Sequence, residues 1–201
     1  MAIYALLDWD LLQKYNISIK EFCKTSKGLK AKLLQYRDKN SSFNEKLIRL
    51  KEIKKYWKKP IIINDDIDLA KYANGIHIGQ EDLEKLSKMY NLSKIEVIKK
   101  LKKEFKIVGL STHNKEEILI ANSYPLSYIG LGAYRSTSTK NTNNILGKKI
   151  ITLIKYSSHP VAVIGGVKIY DKIPAKFKVI GSDICKLIST QSKKKRILKK
   201  R

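Results

Sequence analysis

The sequence predicts a single (β/α)8 TIM barrel. Three observations carry that prediction. Eight short apolar runs recur along the chain, and segments with helical spacing stand between them. That alternation builds parallel sheets. Polar residues or glycines follow nearly every run, which favours closure into a barrel with its chemistry at the carboxyl ends of the strands. A doubly wound open sheet is the alternative with the same alternation. The 201 residues, 43% of them hydrophobic, suffice for one substantial core. Residues 1–190 are read as the barrel domain and residues 191–201 as a basic, solvated tail.

The first strand spans residues 3–7 and ends at Asp8. A helix follows over residues 19–29. The second strand starts at Leu33 and runs out through Gln35, Arg37 and Lys39, alternate residues that share one face of an extended segment. Ser42 with Glu45 is a capping box, and the helix it opens stops before Pro60.

Residues 61–82 hold the densest set of candidate site residues. Ile61, Ile62 and Ile63 make a β-branched run suited to a strand buried on both faces, ended by Asn64 and Asp65. A short helix over residues 67–72 leads to a fourth strand, Gly75 to Ile78, which ends near Asp82. Two carboxylates at neighbouring strand ends can hold a hard divalent cation that keeps water and phosphate ligands. The alternative is that both aspartates cap the helices that follow them.

Residues 83–90 read as helix, and Ser93 with Glu96 opens another through a second capping box. The fifth strand, residues 107–110, ends at Ser111 and His113, and Asn114 with Glu117 caps the next helix. The sixth, residues 127–131, ends in Gly132. Residues 133–147 are polar and aperiodic, and include Thr137, Thr139 and Lys140. A loop of that length in a compact domain is commonly functional. Residues 146–154 read as helix, residues 161–164 as strand seven before Gly165 and Gly166, and residues 178–180 as strand eight before Gly181 and Ser182.

Closure brings these ends to one mouth. Arg37, Lys39 and Lys140 beside two aspartates suit a polyphosphate held through a metal. Ser111 can add a hydroxyl. Gly165-Gly166 and Gly181-Ser182 suit a phosphate monoester. His77, inside an apolar strand, is either a hydrogen-bonded wall residue or a ligand contact.

The formal net charge is +24, with 37 lysines and only 5 arginines. The charge raises nucleic acid as a partner. The scarcity of arginine, the preferred bidentate phosphate ligand, argues against it. Two cysteines are too few for a disulfide framework or a cysteine-based zinc site, and no apolar run is long enough to span a bilayer. The expectation is a cytoplasmic protein, monomeric or a small homo-oligomer, without a membrane partner.

Taken together, Gln35 to Lys39, Ile63 to Ala70, Gly75 to Asp82, Gly109 to His113, Gly130 to Gly132, Thr137 to Lys140 and Val163 to Gly166 resemble thiamine phosphate synthase. The segments come in that family's order and extend over most of the chain. The resemblance implies a transferase that joins 4-amino-5-hydroxymethyl-2-methylpyrimidine diphosphate to 4-methyl-5-(2-phosphoethyl)thiazole, with Mg2+ as cofactor and pyrophosphate as by-product. It implies a dissociative reaction in which pyrophosphate leaves before the thiazole nitrogen attacks. By motif, Asp65 and Asp82 would hold the metal, and Arg37, Lys39, Asn64, Ser111 and Lys140 the diphosphate. Gln35 and His77 would border the pyrimidine, and Thr137, Thr139, Gly166 and Ser182 would meet the thiazole phosphate. The related thiazole tautomerase shares the Ser111-x-His113 element but generally lacks the paired aspartates and the diphosphate cations. Where the family usually has Gly-Pro-Ile-Phe-Pro-Thr, this chain has Gly132-Ala133-Tyr134-Arg135-Ser136-Thr137.

Overall fold

In the computed structural model, which describes residues 1–136 and 145–198, eight parallel strands close into a barrel. They are β1 (Ala2–Asp8), β2 (Leu33–Arg37), β3 (Ile61–Asn64), β4 (Gly75–Ile78), β5 (Ile107–Thr112), β6 (Tyr128–Leu131), β7 (Val161–Val163) and β8 (Phe177–Ile180). Each pairs with its neighbours in chain order, and β8 closes on β1.

Period-two alternation sorts the side chains. Tyr4, Leu6, Ile62, Tyr128, Ala162 and Val179 form a small core inside the barrel. Their neighbours Ala5, Leu7, Leu34, Tyr36, Ile61, Ile63, Ile76 and Ile78 join the larger core between barrel and helices. Inward parity continues up each strand towards the mouth. Register sets Leu6 beside Gln35, Asp8 beside Arg37, Asn64 beside His77 and Ser111 beside Gly130. The polar residues that end the apolar runs therefore face inward as a consequence of strand geometry.

The helices are α1 (Trp9–Tyr15), α2 (Ile19–Gly28), α3 (Phe43–Tyr56), α4 (Ile67–Ala70), α5 (Gln80–Tyr90), α6 (Lys94–Glu104), α7 (Lys115–Ala121), α8 (Lys149–Ile154) and α9 (Ser182–Leu198). The capping boxes at Ser42/Glu45 and Ser93/Glu96 form, and so does one at Ser18/Glu21. Several elements depart from the sequence expectation, beyond shifts of one or two residues at their ends. Helix α1 went unread, because its seven residues are short and its cap, Asp8, doubles as a strand end. Helix α5 opens at Gln80, before the expected Leu83. Helix α8 starts at Lys149 instead of residue 146, since Gly147 sits at φ +51°. No helix separates β7 from β8; a loop over residues 164–176 joins them. The stretch between Asp82 and Ser111 holds two helices, α5 and α6, turned by Asn91 in the left-handed conformation. Helix α9 runs past residue 191 into the basic end of the chain.

Candidate active site

A cavity of about 420 Å³ opens at the carboxyl ends of the strands. It is lined by Gln35, Arg37, Lys39, Asn64, Asp65, His77, Asp82, Ser111, Gly166 and Ser182. Ten residues singled out from the sequence thus meet in one place. Thr137, Thr139 and Lys140 lie outside the described residues.

Asp65 follows the last residue of β3 with φ +62°, a conformation that aspartate tolerates better than most residues. Its backbone N–H donates to His77 O at 2.9 Å, which extends the β3–β4 pairing by one residue. Its carboxylate accepts from the Gly79 N–H at 3.3 Å and from the Asn64 amide. Asp65 caps nothing: Asp66 is the N-cap of α4, accepting from the Leu69 N–H at 3.0 Å. Asp82 is no cap either, because Gly79 holds that position of α5 and Asp82 lies in the first turn. The capping alternative therefore fails for both aspartates. Burial, together with the neighbouring Asp82 charge, pushes the Asp65 carboxyl up to about 6, while Lys39 pulls it the other way.

This electrostatic strain fits a cation. Among the described residues no group of three or more His, Cys, Asp or Glu side chains could hold a metal ion. One or two carboxylates suffice for a magnesium ion when phosphates and waters fill its other positions. Asp65 and Asp82 have the hard oxygen donors, and a positive charge between them would relieve their repulsion.

Arg37 reaches the mouth in an ion pair with Asp8, which is fully buried. The other Asp8 oxygen caps α1 by accepting from the Leu11 N–H at 3.0 Å. Sequence reasoning read Asp8 only as the end of a strand. Its signal was parity: Tyr4, Leu6 and Asp8 share the inward face.

His77 is a wall residue. Its ring stacks on Tyr128 with centroids 5.5 Å apart, in a slot that needs glycines on the next two strands, β5 and β6. A Cβ at Gly109 would come within 2.6 Å of His77 Nδ1, and one at Gly130 within 2.9 Å of Cε1. Burial drives its pKa down to about 4, so the ring is neutral. Nε2 bonds Ser111 Oγ at 2.9 Å, whereas Nδ1 is buried without a partner among the described residues. An unpaired acceptor costs less than an unpaired N–H. The favoured tautomer therefore carries its proton on Nε2 and donates it to Ser111, and the serine hydroxyl is then free to donate into the cavity.

Gln35 stands on the barrel floor, donating from Nε2 to Tyr4 Oη at 3.1 Å. Tyr4 and Tyr128 touch through their hydroxyls at 2.9 Å. This tyrosine pair was missed because its members are 124 positions apart. On the opposite wall Gln80 Nε2 donates to Ser111 O at 2.7 Å, and His113 Nδ1 lies 2.9 Å from Glu117. Gly165 and Gly166 turn the chain after β7 with φ +88° and +62°.

By sequence, the chain is similar to one family. A family model described as thiamine monophosphate synthase matches residues 13–175. A thiamine-phosphate synthase of Persephonella marina is 35% identical over 173 residues, covering 83% of this chain and 77% of the relative. One from Clostridium botulinum is 36% identical over 172 residues, covering 83% and 75%. Among solved structures, thiamine phosphate pyrophosphorylase from Pyrococcus furiosus superposes with a TM-score of 0.69 at 19% identity, covering 94% of this chain and 96% of that one. At that identity the likeness is one of fold.

Proposed function

The chain belongs to the thiamine monophosphate synthase family and is an enzyme, and from that premise we propose that it couples 4-amino-5-hydroxymethyl-2-methylpyrimidine diphosphate to 4-methyl-5-(2-phosphoethyl)thiazole, yielding thiamine phosphate and pyrophosphate. The supporting observation is the meeting of Asp65 and Asp82 with Arg37, Lys39 and Ser111 at one barrel mouth.

The proposed reaction is dissociative. The bond between the pyrimidine methylene carbon and the diphosphate oxygen breaks, and its electron pair leaves with pyrophosphate. The thiazole nitrogen then donates its lone pair to the methylene carbon, forming the C–N bond. No proton need move for either event, which suits a site without an activated nucleophile. Magnesium, held by Asp65 and Asp82, would supply charge to the leaving diphosphate. Arg37, Lys39 and Lys140 neutralise the remaining oxygens, and Asn64 and Ser111 donate hydrogen bonds to them. Gln35 and His77 border the pyrimidine. A neutral His77 places no positive charge beside the carbon that becomes cationic. Thr137, Thr139, Gly166 and Ser182 receive the thiazole phosphate. We place the reaction in the cytoplasm; both cysteines are buried and unpaired, and no helix among the described residues is long and apolar enough to cross a membrane.

The test is mass-spectrometric detection of thiamine phosphate from the two substrates, repeated with Asp65→Ala and Asp82→Ala. The wild type should form it, and each variant should fold yet lose the metal-dependent turnover. Unchanged turnover in either variant would remove the metal assignment. A folded chain that interconverts thiazole tautomers without coupling would move the function to the related tautomerase.

A further inference from the structure

Arg135 stands where the family usually carries phenylalanine, in the segment just before residues 137–144. Its guanidinium is occupied. Nη1 and Nη2 donate to the two carboxylate oxygens of Asp171 at 2.5 and 2.9 Å, and Nη1 also donates to Gly166 O at 3.1 Å. Asp171 is nearly buried and belongs to the helix-free loop between β7 and β8. It also accepts from the Lys168 N–H at 2.8 Å. The Tyr134 ring lies 4.3 Å from the guanidinium carbon.

The backbone follows the same path. Tyr134 N–H donates to Ile164 O and Arg135 N–H to Gly165 O, both at 2.9 Å, which carries the β6–β7 pairing beyond the ends of both strands. The segment presses on the glycine turn so closely that a Cβ on Gly166 would lie 2.8 Å from Arg135 Cβ. A hydrogen bond to Gly166 O fixes the plane of the Gly166–Val167 peptide, so its N–H points away from Arg135. No hydrogen bond among the described residues takes the N–H of Gly165, Gly166 or Val167, and all three residues line the cavity. Successive N–H groups in left-handed turns make a concavity for anions.

We propose that Arg135 and Asp171 form a clamp that holds the Gly165–Gly166 turn in the conformation that receives the thiazole phosphate, so Arg135 is a positioning residue and not a phosphate ligand. This rests on the function proposed above and adds a residue pair to its phosphate subsite. The two roles predict opposite patterns. A phosphate ligand restrained by Asp171 would be released by Asp171→Asn and would bind better. A clamp is broken from either side.

The experiment measures kinetics with each substrate varied in turn for Arg135→Met, Asp171→Asn and the double variant. The clamp predicts that both single variants raise the KM for thiazole phosphate about tenfold, the size of one lost charge-assisted hydrogen bond. The double variant should be no worse than either single one. The KM for pyrimidine diphosphate should stay within about twofold, which also reports an intact fold. Arg135→Lys, which keeps the charge but not the two-pronged bond, should fall between. A KM lowered or unchanged by Asp171→Asn, or a thiazole KM insensitive to Arg135→Met, would overturn the proposal. Titration with inorganic phosphate reads the same order without turnover. A wild type that binds phosphate but couples nothing would sink the reaction, and the titration would still decide the clamp.

Discussion

Asp65 concentrates the chemistry of the mouth in one side chain. In the metal-free protein, burial and Asp82 raise its pKa to about 6. Between the ordinary aspartate value and that point, the folded chain binds more protons than the unfolded chain. Its contribution to stability therefore falls as pH rises through that window. Asp82→Asn removes one of the two causes and leaves burial. The melting temperature of this variant, in chelator, should gain on the wild type as pH rises from about 4 to about 7. A difference that stays constant with pH would contradict the coupling between the two carboxylates. These aspartates were legible because both come soon after an apolar run, where barrel closure gathers the chain at the mouth; parity alone does not turn them in, since Asp65 follows the inward Asn64 and bends through a positive φ, and Asp82 lies in the first turn of α5. The contact of Tyr4 with Tyr128 was not legible. Which inward residues meet across a barrel depends on its shear, and that is not written in any local spacing.

Among the elements, α1 shows how one residue can tie a helix to a site. Asp8 caps it and also holds Arg37 in an ion pair at the mouth. Asp8→Ala removes the cap and leaves a poorly solvated guanidinium, for a loss of about 2–4 kcal/mol in chemical denaturation. Asp8→Asn keeps a capping oxygen and should recover about 1 kcal/mol of it. Ser42→Ala, at an exposed capping box on α3, should cost only about 1 kcal/mol. Equal losses for Asp8→Ala and Ser42→Ala would mean that the ion pair adds nothing. Capping boxes were legible because four residues suffice to define one. The absent helix between β7 and β8 was not, since glycines, a proline and a tyrosine-bearing turn after Val163 do not distinguish a long loop from a loop with a short helix.

The whole molecule carries a net charge of +24, and both proposed substrates are anions. Such a field speeds their encounter and is screened by salt. Raising ionic strength from about 0.05 to 0.5 M should lower kcat/KM for the diphosphate several-fold. The kcat at saturation should change little, because the mouth's own contacts are shorter than the screening length. A salt-independent kcat/KM would show the lysines to be spectators. Composition made the charge plain, yet only the folded mouth relates it to an anionic ligand.

The proposed reaction joins two phosphorylated halves by displacing pyrophosphate. Pyrophosphate release, followed with each substrate alone and with both, with and without chelator, tests it most directly. Release should depend on the divalent cation and match thiamine phosphate formed one for one when both substrates are present. No release from a folded protein that binds both substrates would contradict it.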